Sequence, residues 1–220
     1  PALLAMGLWA LRLPGDRESR FGVVTPRIFL AVMARPGAPQ AYLAVFCIFF
    51  VFASVLNVLP FHLAQRDPGT GSAGIGFAYL GYLSGMLVSL NTERIRRWFR
   101  TEGPLYGLGL GLYALGIGLF ALSGMGGTYL AMFAFCGGMF LIHTRLSGQV
   151  NQMGGPYRGV VNGLYIASYY FGGSLGSWLA VAIYRALGWE PFLLSVLLVL
   201  ALAGHGLRGM LWREAEVGGL

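Results

Sequence analysis

One histidine lies inside an otherwise apolar run of residues, where its chemistry would be available to protons or to a solute. His143 and Ser147 are four residues apart, which puts both on one face of a helix. An imidazole titrates near physiological pH and can donate or accept a hydrogen bond. Because ionisable groups are costly at membrane depth, His143 is predicted to serve a proton or substrate pathway. The alternative is a hydrogen bond that only joins it to a neighbouring helix.

The next apolar run carries a second set of polar groups. These include Asn162, Tyr165 and Tyr169, and the two tyrosines are four residues apart, so they line one face of a helix. Tyrosine rings offer apolar surface and a hydroxyl together, which suits an amphipathic solute, although the same rings also serve in packing. Asn57, late in the first complete apolar run, is a further pathway candidate. Arg145 is predicted to reach the cytoplasmic interface as a topological anchor.

Glycines four residues apart occur in three of the apolar runs. Such pairs let two membrane helices approach closely. The predicted helix-packing glycines are Gly81, Gly85, Gly107, Gly111, Gly172 and Gly176.

The elements that carry these residues are predicted to be membrane helices. The chain has 220 residues, of which 56% are hydrophobic and 10% are charged, whereas about a quarter of the residues of a soluble domain are charged. A spanning helix needs about 20 apolar residues. The sequence therefore predicts an all-α membrane protein with six transmembrane helices, at 41–63, 71–90, 104–122, 128–150, 159–184 and 191–207.

The arginines predict the orientation. All 15 basic residues are arginine, and with segment 12–40 placed inside, only Arg66 and Arg185 fall outside. This bias puts the basic loop 12–40 and the tail 208–220 in the cytoplasm. The net charge of +7 thus reports topology, with a lipid bilayer as the partner and no nucleic acid. Within the loop, 26–34 is predicted to form a short interfacial helix.

The predicted six-helix domain covers residues 41–207, and a short apolar stretch lies at the start of the chain. Residues 1–11 are apolar but too short to span, so they are predicted to be the end of a truncated helix. The chain is accordingly predicted to be a fragment or half of a longer protein.

Pro60 is predicted to kink or end the first complete helix. A weak internal repeat relates AYLGYLSG at 78–85 to SYYFGGSLG at 168–176. Three helices repeated with opposite topology are typical of transporter halves.

With these features together, the chain resembles the C-terminal half of a major facilitator superfamily transporter, of the bacterial drug:proton antiporter type. The matching residues are Asn57 in VLNVLPF, His143 in GGMFLIHTRLSG, and the run NGLYIASYYFGGSLG followed by LGW. The family's loop pattern G-x-x-x-D-R-x-G-R-R departs here, since only Gly85 and Arg94 match it.

The resemblance implies half of a twelve-helix fold in a bacterial inner membrane, with 1–11 as the end of the sixth helix. It implies proton-coupled efflux of a small amphipathic solute by alternating access, together with a missing N-terminal six-helix half. Helices seven, eight, ten and eleven would face the cavity. No catalytic residue, cofactor or metal site is implied.

Two other functions stay open from the residues themselves. A six-helix assembly or regulatory protein would show the same spans without transport. An intramembrane hydrolase would use Ser147 or Ser174 with His143, but neither serine has the local context that such a nucleophile requires. No Asp or Glu lies inside a predicted span, so a proton-coupled mechanism in this half would depend on His143.

Overall fold

The computed structural model describes residues 25–122 and 124–218, and all regular structure in these ranges is helical. Six of the described helical segments are long and apolar enough to cross a membrane. The predicted all-helical chain with six such segments is therefore confirmed. The expected helix end at 1–11, and the loop as far as residue 24, lie outside the described residues.

A short helix, α1 (Pro26–Met33), precedes the first long one. The side chain of Thr25 caps it by accepting a hydrogen bond from the backbone N–H of Ile28 at 3.4 Å. The chain then turns at Gly37, whose φ of 80° lies in the left-handed region that favours glycine. The predicted short helix is thus present, and it packs against the beginning of the bundle through the buried Val32.

The long helices extend beyond the apolar runs that predict them, because each continues into polar flanking residues. The remaining elements are α2 (Ala38–Arg66), a 3₁₀ turn (Pro68–Thr70), α3 (Gly71–Ala78), a 3₁₀ turn (Tyr79–Gly81), α4 (Tyr82–Arg96), α5 (Glu102–Leu122), α6 (Met125–Met153), a 3₁₀ turn (Gly155–Tyr157), α7 (Arg158–Leu187) and α8 (Trp189–Gly218). The last helix includes most of the predicted tail 208–220.

Pro60 does not end α2, which continues to Arg66. A proline inside a helix leaves the carbonyl four residues earlier without its usual N–H donor. Here that carbonyl belongs to Leu56, and the hydroxyl of Tyr79 donates to it at 3.1 Å. A side chain from the following span therefore satisfies the carbonyl that Pro60 leaves free.

The second span is not one continuous α-helix. Pro68–Arg96 crosses as α3, a 3₁₀ turn and α4, and it is called the segmented span below. The 3₁₀ turn ends at Gly81, where an added Cβ would lie 2.7 Å from the backbone carbon of Met132 on α6. One turn later, the Ser84 hydroxyl lies 2.7 Å from the carbonyl oxygen of Phe133. The interruption thus lies where the segmented span meets α6 backbone to backbone.

The bundle is organised around α2 and α6. Helix α2 packs against α7 and α8, while α6 packs against α5 and the segmented span. Of the most apolar 18-residue stretch of each span, 67% is buried in α2 and 56% in α6, against only 17% in the segmented span and in α7. The two least buried spans therefore present most of their surface outward.

The tightest helix contact joins α7 to α2. An added Cβ at Gly172 would lie 2.2 Å from the carbonyl oxygen of Phe46, and one at Gly176 would lie 2.3 Å from that of Phe50. Any side chain at either position would therefore push the two helices apart. The hydroxyl of Ser54 donates to the carbonyl of Gly176 at 3.0 Å across the same contact.

The prediction for the third span identified the wrong glycines. An added Cβ at Gly107 or Gly111 would meet nothing within 4 Å. The contact of α5 with α6 instead uses Gly109 and Gly116, which are seven residues apart. On the α6 side, a Cβ added at Gly138 would lie 2.5 Å from the carbonyl oxygen of Gly109. Four-residue spacing identifies a face that permits close approach, but it does not say which face a neighbour covers.

Candidate functional site

His143 and Tyr165 form the polar pair at the centre of the candidate site. His143 is 18 residues into α6, about 27 Å along its axis, and Tyr165 is on α7. The hydroxyl of Tyr165 lies 2.9 Å from Nδ1 of His143 and 3.3 Å from its carbonyl oxygen. The two rings are stacked, with centroids 5.7 Å apart. Tyr165 is buried, so the pair joins α6 to α7 from inside the bundle.

This hydrogen bond determines which nitrogen of the imidazole is left for other partners. When the tyrosine hydroxyl donates to Nδ1, the imidazole proton resides on Nε2. Protonation of His143 requires the hydroxyl to turn away from Nδ1, and the histidine carbonyl oxygen is close enough to accept it. The Tyr165 hydroxyl therefore has an acceptor in both protonation states of the histidine.

An aromatic surface extends from this pair across four helices. The ring centroid of Phe49 on α2 lies 4.9 Å from that of His143 and 4.6 Å from that of Tyr169. The ring centroids of Tyr169 and Tyr170 are 4.3 Å apart. On its other side Phe49 contacts Phe52, with centroids 6.4 Å apart. The Phe52 ring in turn contacts Tyr82 of α4 and Phe140 of α6, with centroids 5.7 and 6.1 Å away. We call this set the aromatic face: Phe49, Phe52, Tyr82, Phe140, Tyr169 and Tyr170.

Asn57 lies elsewhere on the α2–α7 contact. Its amide nitrogen donates to the hydroxyl of Ser177 at 2.9 Å and to the carbonyl of Ala53 at 2.8 Å. The residue is nevertheless exposed in the isolated chain. It is therefore held in place by α7 without being covered.

Two predicted site residues do not join the His143 pair. The amide nitrogen of Asn162 lies 3.3 Å from the side-chain oxygen of Asn151, so these residues connect α7 to the end of α6. Ser147 shares a helix face with His143 but makes no hydrogen bond to the described residues. Nδ1 of His143 is instead hydrogen-bonded to the hydroxyl of Tyr165, and not to a serine hydroxyl.

Arg145, predicted to be a topological anchor, has acidic partners on the neighbouring helices. Its Nε and Nη2 donate to the two carboxylate oxygens of Glu102, at 2.7 and 2.5 Å. Both side chains are only 17% exposed. Glu93 lies 3.7 Å from Arg145, and Arg96 lies 3.4 Å from Glu102. The arginine therefore closes a charge network between α6 and the connection that leads from α4 to α5.

Sequence reasoning missed this network because its acids lie in a segment read as a basic connector. Arg–carboxylate pairs with two parallel hydrogen bonds are among the stronger polar contacts in proteins. The signal that could have found it is the presence of Glu93 and Glu102 on either side of the arginine run 94–100.

A second histidine also lies within a span, since α2 continues past Pro60. The ring of His62 is stacked on Trp189 at 3.9 Å, and its Nδ1 lies 3.4 Å from the hydroxyl of Tyr184. This group is near the end of α2 that is opposite to the basic segments. His143 is therefore not the only imidazole inside a spanning helix, and the third histidine, His205, also lies in one, Trp189–Arg213.

Comparison of the chain with the models of known protein families and with curated proteins gave no match. The functional assignment therefore depends on the site itself and on how the six helices are arranged.

Proposed function

We propose that the chain is the C-terminal six-helix half of a secondary active transporter of the major facilitator type, which exports a small amphipathic solute in exchange for protons. The observation that carries the proposal is the exchange symmetry of the helix packing. Replacing the first three spans by the last three maps α2 onto α6, the segmented span onto α7, and α5 onto α8. The contact of α2 with α7 then corresponds to that of α6 with the segmented span, and α2 with α8 to α6 with α5.

Burial follows the same exchange. The buried share of the apolar stretch is 67% and 56% in the central pair, 17% and 17% in the second pair, and 39% and 39% in the third. The glycines correspond as well, because Gly81 and Gly85 face α6 while Gly172 and Gly176 face α2. An inverted three-helix repeat would produce such a correspondence of contacts and burial, and repeats of that type are characteristic of secondary transporters, whose solute sites lie between repeats.

The outward surface of the segmented span and α7 supports the presence of a partner half. Exposed large side chains on these two spans include Met86, Leu87, Tyr170, Phe171 and Trp178. The aromatic face lies between the two spans, and His143 touches it through Phe49. A second six-helix half on this side would enclose the aromatic face and produce a cavity with a titratable group on its wall.

The chemistry of the aromatic face fits an amphipathic solute, and a cation best. Aromatic rings attract cations through the negative charge density of their faces. Protonation of His143 would add a positive charge beside those rings and so disfavour a bound cation. Proton binding and solute binding would then compete, which is the requirement for exchange of one for the other.

The topology completes the proposal. The arginine distribution places α1 and the basic connector before α5 in the cytoplasm, together with the C-terminal part of α8. The resemblance to a bacterial antiporter adds that this membrane is the bacterial cytoplasmic membrane, and the orientation puts the charge network of Arg145 and Glu102 at its inner side.

The proposal predicts that this six-helix chain alone does not transport. Membrane vesicles holding the full protein are expected to export ethidium, a fluorescent amphipathic cation, when a proton gradient is imposed. Vesicles holding only residues 1–220 at the same density are expected to match empty vesicles, since half of the cavity wall is absent. Gradient-driven ethidium movement in the vesicles with the chain alone would contradict the proposal of a half transporter.

A further inference from the structure

A cleft lies between the start of α2 and the C-terminal half of α8. It has a volume of about 390 Å³ and is lined by Gln40 of α2 and by His205, Gly209, Trp212 and Arg213 of α8. Gly209 follows His205 by four residues, and Trp212 and Arg213 follow Gly209 by three and four, so these residues lie on one side of the helix. The sequence thus directs all four toward the same cleft.

Gly209 keeps the cleft open. An added Cβ at this position would lie 3.3 Å from Cγ of Gln40, and one at Gly206 would lie 3.0 Å from the carbonyl oxygen of the same residue. The two glycines therefore bring α8 close to α2 without filling the space beside Gln40. A larger side chain at position 209 would occupy the cleft.

The lining offers hydrogen-bond donors and a positive charge. Among the side chains that the structure describes, Arg213 makes no ion pair and no carboxylate lines the cleft. The side-chain oxygen of Gln40 is buried without a hydrogen-bond partner, and rotation of the amide exchanges that oxygen for a donating NH₂ group. Guanidinium, imidazole and amide together suit a phosphate group.

The surface next to the cleft indicates where that phosphate comes from. Leu194, Leu198 and Leu202 are exposed and four residues apart, so they form a stripe that leads along α8 toward His205. Trp212, which lines the cleft beyond this stripe, is 69% exposed, and tryptophan is enriched where a helix passes through the headgroup region. An apolar stripe ending in a cationic cleft matches an acyl chain and its phosphate.

We propose that this cleft binds the phosphate of an anionic phospholipid, with an acyl chain along the leucine stripe. The assignment to the cytoplasmic leaflet rests on the orientation given under the proposed function, and that leaflet carries the anionic lipids. The binding chemistry itself does not require that the protein be a transporter. Failure of ethidium transport would therefore leave the lipid site intact.

The test compares arginines on the same helix. The full protein, purified in detergent, is titrated with phosphatidylglycerol, with phosphatidylcholine or with inorganic phosphate, and bound lipid is counted by native mass spectrometry. The wild type is expected to retain one phosphatidylglycerol in preference to phosphatidylcholine. Arg213→Gln should weaken that preference about tenfold, the effect of one charge-assisted hydrogen bond. Arg208→Gln removes the same charge from an exposed position outside the cleft and should largely keep the preference.

A second variant distinguishes the contribution of the cleft's shape to lipid binding from the contribution of its positive charge. Gly209→Leu leaves every arginine in place but fills the space, so it should lose the bound phosphatidylglycerol as Arg213→Gln does. Equal losses in Arg208→Gln and Arg213→Gln would mean that surface charge alone attracts the lipid, and the site would be refuted. Retention of the lipid by Gly209→Leu would refute it as well. If inorganic phosphate displaced the lipid at low millimolar concentration, the cleft would be a site for a soluble anion instead.

Discussion

Gly176→Leu is expected to prevent α7 from packing on α2, with a large loss of stability. The added Cβ would lie 2.3 Å from the carbonyl oxygen of Phe50, which belongs to a backbone that cannot move aside as a flexible side chain would. Forced separation of the helices should cost about 3 kcal/mol or more. It would also break the hydrogen bond from Ser54 to the Gly176 carbonyl.

The measurement is the thermal midpoint of the purified protein in detergent, together with the yield of monodisperse protein on gel filtration. Gly111→Leu is the matched control, because an added Cβ there meets nothing within 4 Å and leucine favours the helix over glycine. The control is expected to behave like the wild type. Equal stability of the two variants would show that the contact of α7 with α2 is not as close as described.

His143→Ala is expected to remove the pH dependence of solute binding in the full protein while leaving expression intact. In the wild type, affinity for a cationic solute should rise between about pH 5 and pH 8, as the imidazole loses its positive charge. A coupling of this kind is typically about 5- to 150-fold in affinity. Removing the imidazole removes the coupled group, so affinity should become nearly independent of pH.

The measurement is the dissociation constant of ethidium, from its fluorescence with the purified protein across this pH range. His62→Ala provides the control, since that histidine is stacked on Trp189 away from the aromatic face. Tyr165→Phe keeps the stacked ring but removes the hydroxyl that lies 2.9 Å from Nδ1, and should shift the pH dependence without abolishing it. An unchanged pH profile in His143→Ala would reduce the residue to a packing role.

The pathway residues illustrate what helical spacing can and cannot predict. Spacing correctly placed Tyr165 and Tyr169 on one side of α7, and the cost of burying an imidazole identified His143 as worth attention. Spacing within one helix could not reveal that Tyr165 is the partner of His143, because that contact joins residues 22 apart on different helices. The same limit explains why Asn162 and Ser147 do not join the pair.

The errors in the helices have the same origin. Pro60 is predicted to kink or end α2, and the helix does not end there: the carbonyl that the proline leaves free accepts a hydrogen bond from Tyr79, a contact that a local pattern does not include. Gly107 and Gly111 have the spacing of a contact face, yet Gly109 and Gly116 meet α6. The prediction of Arg145 as an anchor did not include Glu102 of the preceding helix, which accepts two hydrogen bonds from it. Contacts between helices decided each case.

The most direct test of the proposed transporter is whether water reaches the aromatic face at the depth of the membrane. Tyr170→Cys on α7 and Leu198→Cys on α8 are well matched, because the two side chains are 62% and 73% exposed in this chain and both lie well inside their spans. The native Cys47 and Cys136 are buried and give little background. The full protein in intact cells and in inverted vesicles is treated with a membrane-impermeant maleimide.

Tyr170→Cys is expected to react, because an alternating-access pathway brings water to this face, whereas Leu198→Cys faces lipid, where a thiolate does not form. Reaction of Tyr170→Cys well above that of Leu198→Cys is the result that the transporter predicts. If Tyr170→Cys reacts no faster than Leu198→Cys from either side of the membrane, α7 does not line a solute pathway and the proposed function is contradicted.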